Sequence, residues 1–150
     1  MIWKHPIFDR TSDDLRTLST KAYINAEDLN RIEGNIEYLS TVLNKYAYHH
    51  QIVIGKTDWK LDDLPRISDI KRICENIMIL VNSYPAAKKK CADVSNIPEY
   101  PLSIFELNRM ELNLQMIKDY VETMTQLFKE SGTFHANTNT ILPLKQENFS

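Results

Sequence analysis

Leu29-Asn30-Arg31-Ile32-Glu33-Gly34-Asn35-Ile36 decides the fold, because most of it returns as Leu107-Asn108-Arg109-Met110-Glu111-Leu112-Asn113-Leu114. Five of these eight positions are identical (Leu, Asn, Arg, Glu and the second Asn), and Ile/Met and Ile/Leu are apolar exchanges. A reduced copy, Ile70-Lys71-Arg72-Ile73-Cys74-Glu75-Asn76-Ile77, lies between them. All three copies keep Arg–apolar–x–x–Asn–apolar. Apolar residues three and four apart stack on one face of a helix, so each copy marks an amphipathic helix.

Working outward from the copies sets the helix limits. The first copy sits in a stripe of Leu29, Ile32, Ile36, Leu39, Leu43 and Tyr46. Asn25 with Asp28 resembles a capping box at its start. The second stripe is Ile70, Ile73, Ile77, Leu80, Val81 and Tyr84, with Pro65 before it and Pro85 after it. The third is Leu107, Met110, Leu114, Ile117, Val121, Met124 and Phe128, opened by Ser103 with Glu106 and closed by Gly132. The expected architecture is all-α. Three main helices, about 25–46, 67–84 and 103–130, form a bundle, with a short N-terminal helix at 12–20 capped by Thr11. Residues 47–65, holding Ile52-Val53-Ile54, Gly55 and Trp59, are expected to be a loop with a short extended segment or hairpin arm. Residues 85–102, with Pro85, Pro98 and Pro101, are expected to be an ordered loop. Residues 1–132 form one helical domain in this reading, and 133–150 form a polar C-terminal tail.

Physically, the repeat reads as packing chemistry. Arg and Asn four apart lie on one helix face beside the apolar stripe. An amide there can bond a loop backbone, and a guanidinium can lay its stem on apolar surface while its head meets a carboxylate. Arg31, Asn35, Arg72, Asn76, Arg109 and Asn113 are therefore expected at three similar helix joints, not in one asymmetric active site.

Composition narrows the function classes. The 150 residues are enough for one domain that buries roughly 70% of its unfolded surface. Only three glycines disfavour a phosphate-cradling loop, and a net charge of −2 disfavours nucleic-acid and membrane-surface partners. The two cysteines make no disulfide framework. The opening residues lack a signal-peptide apolar core, and no run has the ~20 apolar residues of a membrane span. A chain that is cytoplasmic when synthesised and stays soluble in the cell that makes it is expected. Catalytic, metal and cofactor motifs are not found, and His49-His50 read as a loop-exposed pair. The sequence predicts no enzyme, no metal and no cofactor. Trp3, Trp59, Tyr46 and Tyr48 are the candidate binding surface. In the alternative reading Trp59, Tyr46 and the 47–65 loop line a small-molecule or regulatory pocket at the bundle end.

Asp9-Arg10-Thr11-Ser12-Asp13-Asp14-Leu15, then Ala22-Tyr23-Ile24-Asn25-Ala26-Glu27-Asp28-Leu29-Asn30-Arg31-Ile32-Glu33, resembles a module of tail and baseplate-region structural proteins. These proteins belong to phages and prophages of low-GC Gram-positive bacteria. The resemblance continues through Trp59, Asp62 or Asp63, Pro65, Asp69, Arg72, Ile73 and Asn76, and ends at Ser131-Gly132-Thr133-Phe134, covering roughly residues 3–134. It departs at Arg66, where a Thr cap is common, and in a shorter spacer between the first two helices. What it implies is a virion setting, with other tail or virion proteins, or further copies of the chain, as partners.

Overall fold

The computed structural model describes residues 2–19, 23–53, 55–95 and 103–138, with side chains through residue 130. Ile54, residues 96–102 and the tail from 139 lie outside the described residues. The described residues hold helices and no strand: α1 (Ser12–Arg16), α2 (Ala26–Lys45), α3 (Ile67–Ser83), α4 (Pro85–Lys88) and α5 (Ile104–Thr138). The chain divides into two compact units, Met1–Lys118 and Asp119–Ser150, and the boundary falls within α5.

The helices start where their caps place them. Asn25 Oδ1 accepts from Asp28 N at 2.9 Å and Asp28 Oδ2 accepts from Asn25 N at 3.1 Å, which satisfies two donors otherwise orphaned at α2. Arg66 has no acceptor to offer, so α3 keeps half of that box, with Asp69 Oδ2 accepting from Arg66 N at 2.8 Å. Ser103 Oγ accepts from Glu106 N at 3.1 Å and opens α5. At its other end α2 closes in a Schellman motif, Tyr48 N donating to Leu43 O and Ala47 N to Asn44 O. Ala47 takes the left-handed position that glycine usually fills, at φ 70°.

The predicted stripes form the core of the first unit. Leu29, Ile32, Ile36, Leu39 and Leu43 from α2, Ile70, Ile73, Ile77, Leu80 and Val81 from α3, and Leu107, Met110, Leu114 and Ile117 from α5 are all buried.

Four expectations need correction. Helix α1 stops at Arg16, not about residue 20; it buries no side chain, and Leu18 adopts φ 54°, outside the helical region. The loop expected at 85–102 begins as α4, because Pro85 ends α3 and suits the first position of the next turn. Helix α5 does not end at Gly132 but runs to Thr138, taking the first residues of the expected tail. One interior glycine costs only about 1 kcal/mol against alanine, which a continuing helix tolerates. Finally, Phe128 is 58% exposed; helical spacing marks a face whether or not anything covers it.

Candidate functional site

The repeat builds joints between helices and extended arms. Asn35 Oδ1 accepts from Lys4 N at 2.9 Å while Asn35 Nδ2 donates to Lys4 O at 2.8 Å. Asn76 holds Val53 in the same two ways, at 2.8 and 2.9 Å, and Asn113 holds Ala92, at 3.0 and 2.7 Å. Each carboxamide mimics one rung of a β-ladder. This is why Ile52-Val53 needs no strand partner: a helix side chain fills that role.

Two arms are held at further points with matching spacing. In the first arm, Ile7 N donates to Glu111 Oε1 at 3.1 Å, and Arg10 N and O pair with Asn108 at 3.1 and 2.9 Å. In the second, Lys56 N donates to Glu33 Oε1 at 3.1 Å, and Trp59 N and O pair with Asn30 at 2.8 and 3.0 Å. Lys4, Ile7 and Arg10 thus correspond to Val53, Lys56 and Trp59. Each arm is held by the second Asn of one repeat, on α2 for the first arm and α3 for the second, and by an Asn-x-x-Glu pair on another helix, α5 and α2 respectively. After each arm the backbone turns alike. Thr11 N donates to Asp14 Oδ2, and Lys60 N to Asp63 Oδ2, both at 2.8 Å.

The arginines lock the helices across the same joints. Arg31 reaches Glu111 through Nε at 2.7 Å and Nη2 at 2.8 Å, and Asp28 at 2.6 Å. Arg10 adds a second guanidinium, 2.9 Å from Glu111. Two cations therefore face two carboxylates, all buried. Burial alone would lower the Arg31 pKa, but Glu111 and Asp28 raise it above its ordinary value. Arg72 makes the matching pair with Glu33 at 2.6 Å, and Glu33 also accepts from the Trp59 indole at 2.6 Å.

Among the described residues the third joint shows only Asn113. The Glu position on α3 is Cys74 and the Asn position is Lys71. On the third arm, Ser95 N is satisfied locally by Asp93 Oδ1 at 2.9 Å, and the next equivalent residue, Pro98, has no N–H to offer. Arg109, expected at a joint, instead lies half-exposed and pairs within its own helix, with Glu106 at 3.1 Å. Arg109→Ala should therefore change stability by no more than about 0.5 kcal/mol in a urea titration. Cys74 is buried, and burial, aided by Glu106 and Glu75, pushes its thiol up to about 12; burial pushes Cys91 to about 11. Neither is a nucleophile at neutral pH.

The two glycines on either side of the Glu33 joint differ in kind. A Cβ on Gly55 would lie 2.5 Å from Glu33 Oε1, an atom pinned by Lys56 N and Arg72. Gly55→Ala should cost about 1–3 kcal/mol by overpacking. A Cβ on Gly34, in the middle of α2, would meet nothing within 4 Å. Gly34→Ala should raise stability by about 0.5–1 kcal/mol, read as a higher melting temperature.

The four aromatic candidates have separate surroundings. Trp3 tilts against Tyr38 with centroids 5.8 Å apart, and Lys118 lies over both rings. Tyr48 meets Tyr84 edge-on at 4.9 Å, and Tyr46 is half-buried as the C-cap of α2. Trp59 is buried, with Lys56 Nζ 4.5 Å above its ring. It lines a cleft of about 270 Å³ with Lys56, Asp63, Leu64, Arg66, Ser68 and Asp69, in which neither Tyr46 nor Tyr48 takes part. His50, read as loop-exposed, is half-buried: Ser40 Oγ lies 2.8 Å from Nε2 and Tyr48 O lies 2.7 Å from Nδ1, tying the loop after α2 to the helix.

Asn30, Glu33, Asn108, Glu111 and Arg10 were not singled out from sequence. The first four are among the repeat identities, and Arg10 sits in an echo of its own, Asp9 to Leu15 against Asp58 to Leu64, where Asp, Asp, Asp and Leu recur. Among the described residues no cluster of metal-ligating side chains occurs and no helix is long and apolar enough to cross a membrane. Comparison with protein-family models, curated proteins and solved structures found no match for the chain.

Proposed function

We propose that the chain is a non-enzymatic structural or adaptor component of a phage or prophage particle, working through protein–protein contacts. The setting rests on the resemblance of its motifs to tail and baseplate-region modules. The observation that carries the mode of action is where the polar groups go. Buried Asn, Arg and Glu side chains are consumed in joining arms to helices, while Leu61, Leu64 and Leu18 stand 97%, 87% and 75% exposed. Contacts with other proteins would then be made through these exposed leucines. Such a chain is made in the cytoplasm and ends in the virion. The small-molecule alternative has less support, because the Trp59 cleft, at about 270 Å³, falls below the ~300–1,000 Å³ of ordinary ligand sites. The test is co-expression of the tagged chain with the tail and baseplate proteins of its own genome, followed by particle purification. Copurification with these proteins and presence in the particle are expected; absence from both would overturn the proposal.

A further inference from the structure

The distal half of α5, in the second unit, sorts its side chains by face. At about 100° per residue, Tyr120, Val121, Leu127 and Phe128 lie within ~60° of Met124 around the helix. Asp119, Glu122, Gln126, Lys129 and Glu130 lie at least ~120° away, on the opposite side. An apolar stripe this wide belongs to a helix that faces a core. Val121 is buried and Tyr120 and Met124 are half-buried, but Leu127 and Phe128 are each 58% exposed. The face is covered at its start and open toward its end.

We propose that the chain's own C-terminal segment, Ile141-Leu142-Pro143-Leu144, folds back along α5 and covers Met124, Leu127 and Phe128. The segment follows closely on α5, which runs to Thr138, and belongs to the same unit as the face. Reach decides that the two can meet. Residues 139–150 follow the helix and span roughly 40 Å when extended. Phe128 and Met124 lie about 15 and 21 Å before Thr138 along the helix axis. An extended chain returning from Thr138 brings Leu142 about 13 Å and Leu144 about 20 Å back, level with those two side chains. Pro143 favours the return, since it has no N–H for a helix bond and disfavours helical backbone at Leu142. Attachment favours this occupant over another molecule: a short tether holds the segment at millimolar effective concentration beside its own helix. The covered face is then withdrawn from contact with other proteins. This inference does not depend on the proposed phage setting.

Trypsin cleavage after Lys145 in the full chain, followed by mass spectrometry, tests it. Cleavage there needs the segment to lift, so its rate follows the lifted fraction. The wild-type chain should be cut at least about tenfold more slowly than the free peptide of residues 139–150, at every protein concentration. Leu127→Glu with Phe128→Glu alters exposed positions and should keep wild-type circular dichroism while bringing the rate up to that of the peptide. Ile141→Asp with Leu142→Asp should do the same from the other side, measured against a peptide carrying the same changes. Wild-type cleavage at the peptide's rate, or protection that both double variants retain, would overturn the inference. So would protection that grows with protein concentration, which marks a second copy as the cover. A chain that copurifies with tail proteins yet shows no protection would defeat this inference alone.

Discussion

Glu111→Ala should lower folding stability by about 3–5 kcal/mol, the usual cost of leaving buried charges without their partner. Glu111 is fully buried and accepts from Ile7 N, Arg10 Nη2, and Arg31 Nε and Nη2. Without it, two guanidinium groups share Asp28 in a site closed to water, and the first arm loses its middle hold. Urea unfolding followed by circular dichroism measures the loss. Arg109→Ala is the internal comparison, since Arg109 occupies the repeat position of Arg31 but lies half-exposed. A loss below about 1 kcal/mol for Glu111→Ala would mean that the arm lifts and lets Arg10 reach water, and the joint would not then be the fold's main polar tie.

Asn76→Asp should destabilise more than Asn76→Ala, although Asp is nearly isosteric with Asn. Alanine forfeits two hydrogen bonds to Val53 and leaves its backbone groups unsatisfied, a cost of about 1–3 kcal/mol. Aspartate still accepts from Val53 N but turns a buried charge toward Val53 O, which can only accept. Burial and the facing carbonyl raise the folded-state pKa of the new carboxyl above its unfolded value. A raised pKa favours the folded state only while the group is protonated. The deficit relative to wild type should therefore be small below the unfolded carboxyl pKa, near 4, and grow as pH rises through the folded value. Parallel urea titrations at pH 4 and pH 7 would show this. An equal deficit at both would mean that the residue is hydrated and no longer clamps the arm.

Much of the helical frame was legible because its signals are local. Capping residues and three-four spacing act within one turn, so Asn25, Ser103 and the core stripes, Phe128 apart, read correctly from the chain. The extension of α5 past Gly132 did not, because a glycine ends a helix only when continuing costs more than stopping. The short α4 was hidden for a related reason: Pro85 serves as terminator and initiator at once.

The candidate site was legible in part. Arg31, Asn35, Arg72, Asn76 and Asn113 could be expected at joints from their place beside the stripe. Arg109 satisfies the same pattern and yet points outward, because its partner position on α3 is Cys74. A motif describes one helix; a joint needs two helices and an arm. The aromatic candidates show the same limit, since ring chemistry at Trp3, Trp59, Tyr46 and Tyr48 is local while their dispersal is a matter of topology.

The amino-acid sequence by itself determined that Leu29–Ile36 and its copies form helices, that those helices share a core, and that Arg and Asn lie at its border. These properties depend on residues within a few positions of one another. Only the tertiary structure decided that Lys4, Val53 and Ala92 are the backbone partners of the three asparagines. It also decided that Glu33 and Glu111 each collect an arm and an arginine, and that the third joint, among the described residues, is made by Asn113. Hydrogen bonds spanning 104 residues, as between Ile7 and Glu111, form only after the helices pack, and no local spacing records them.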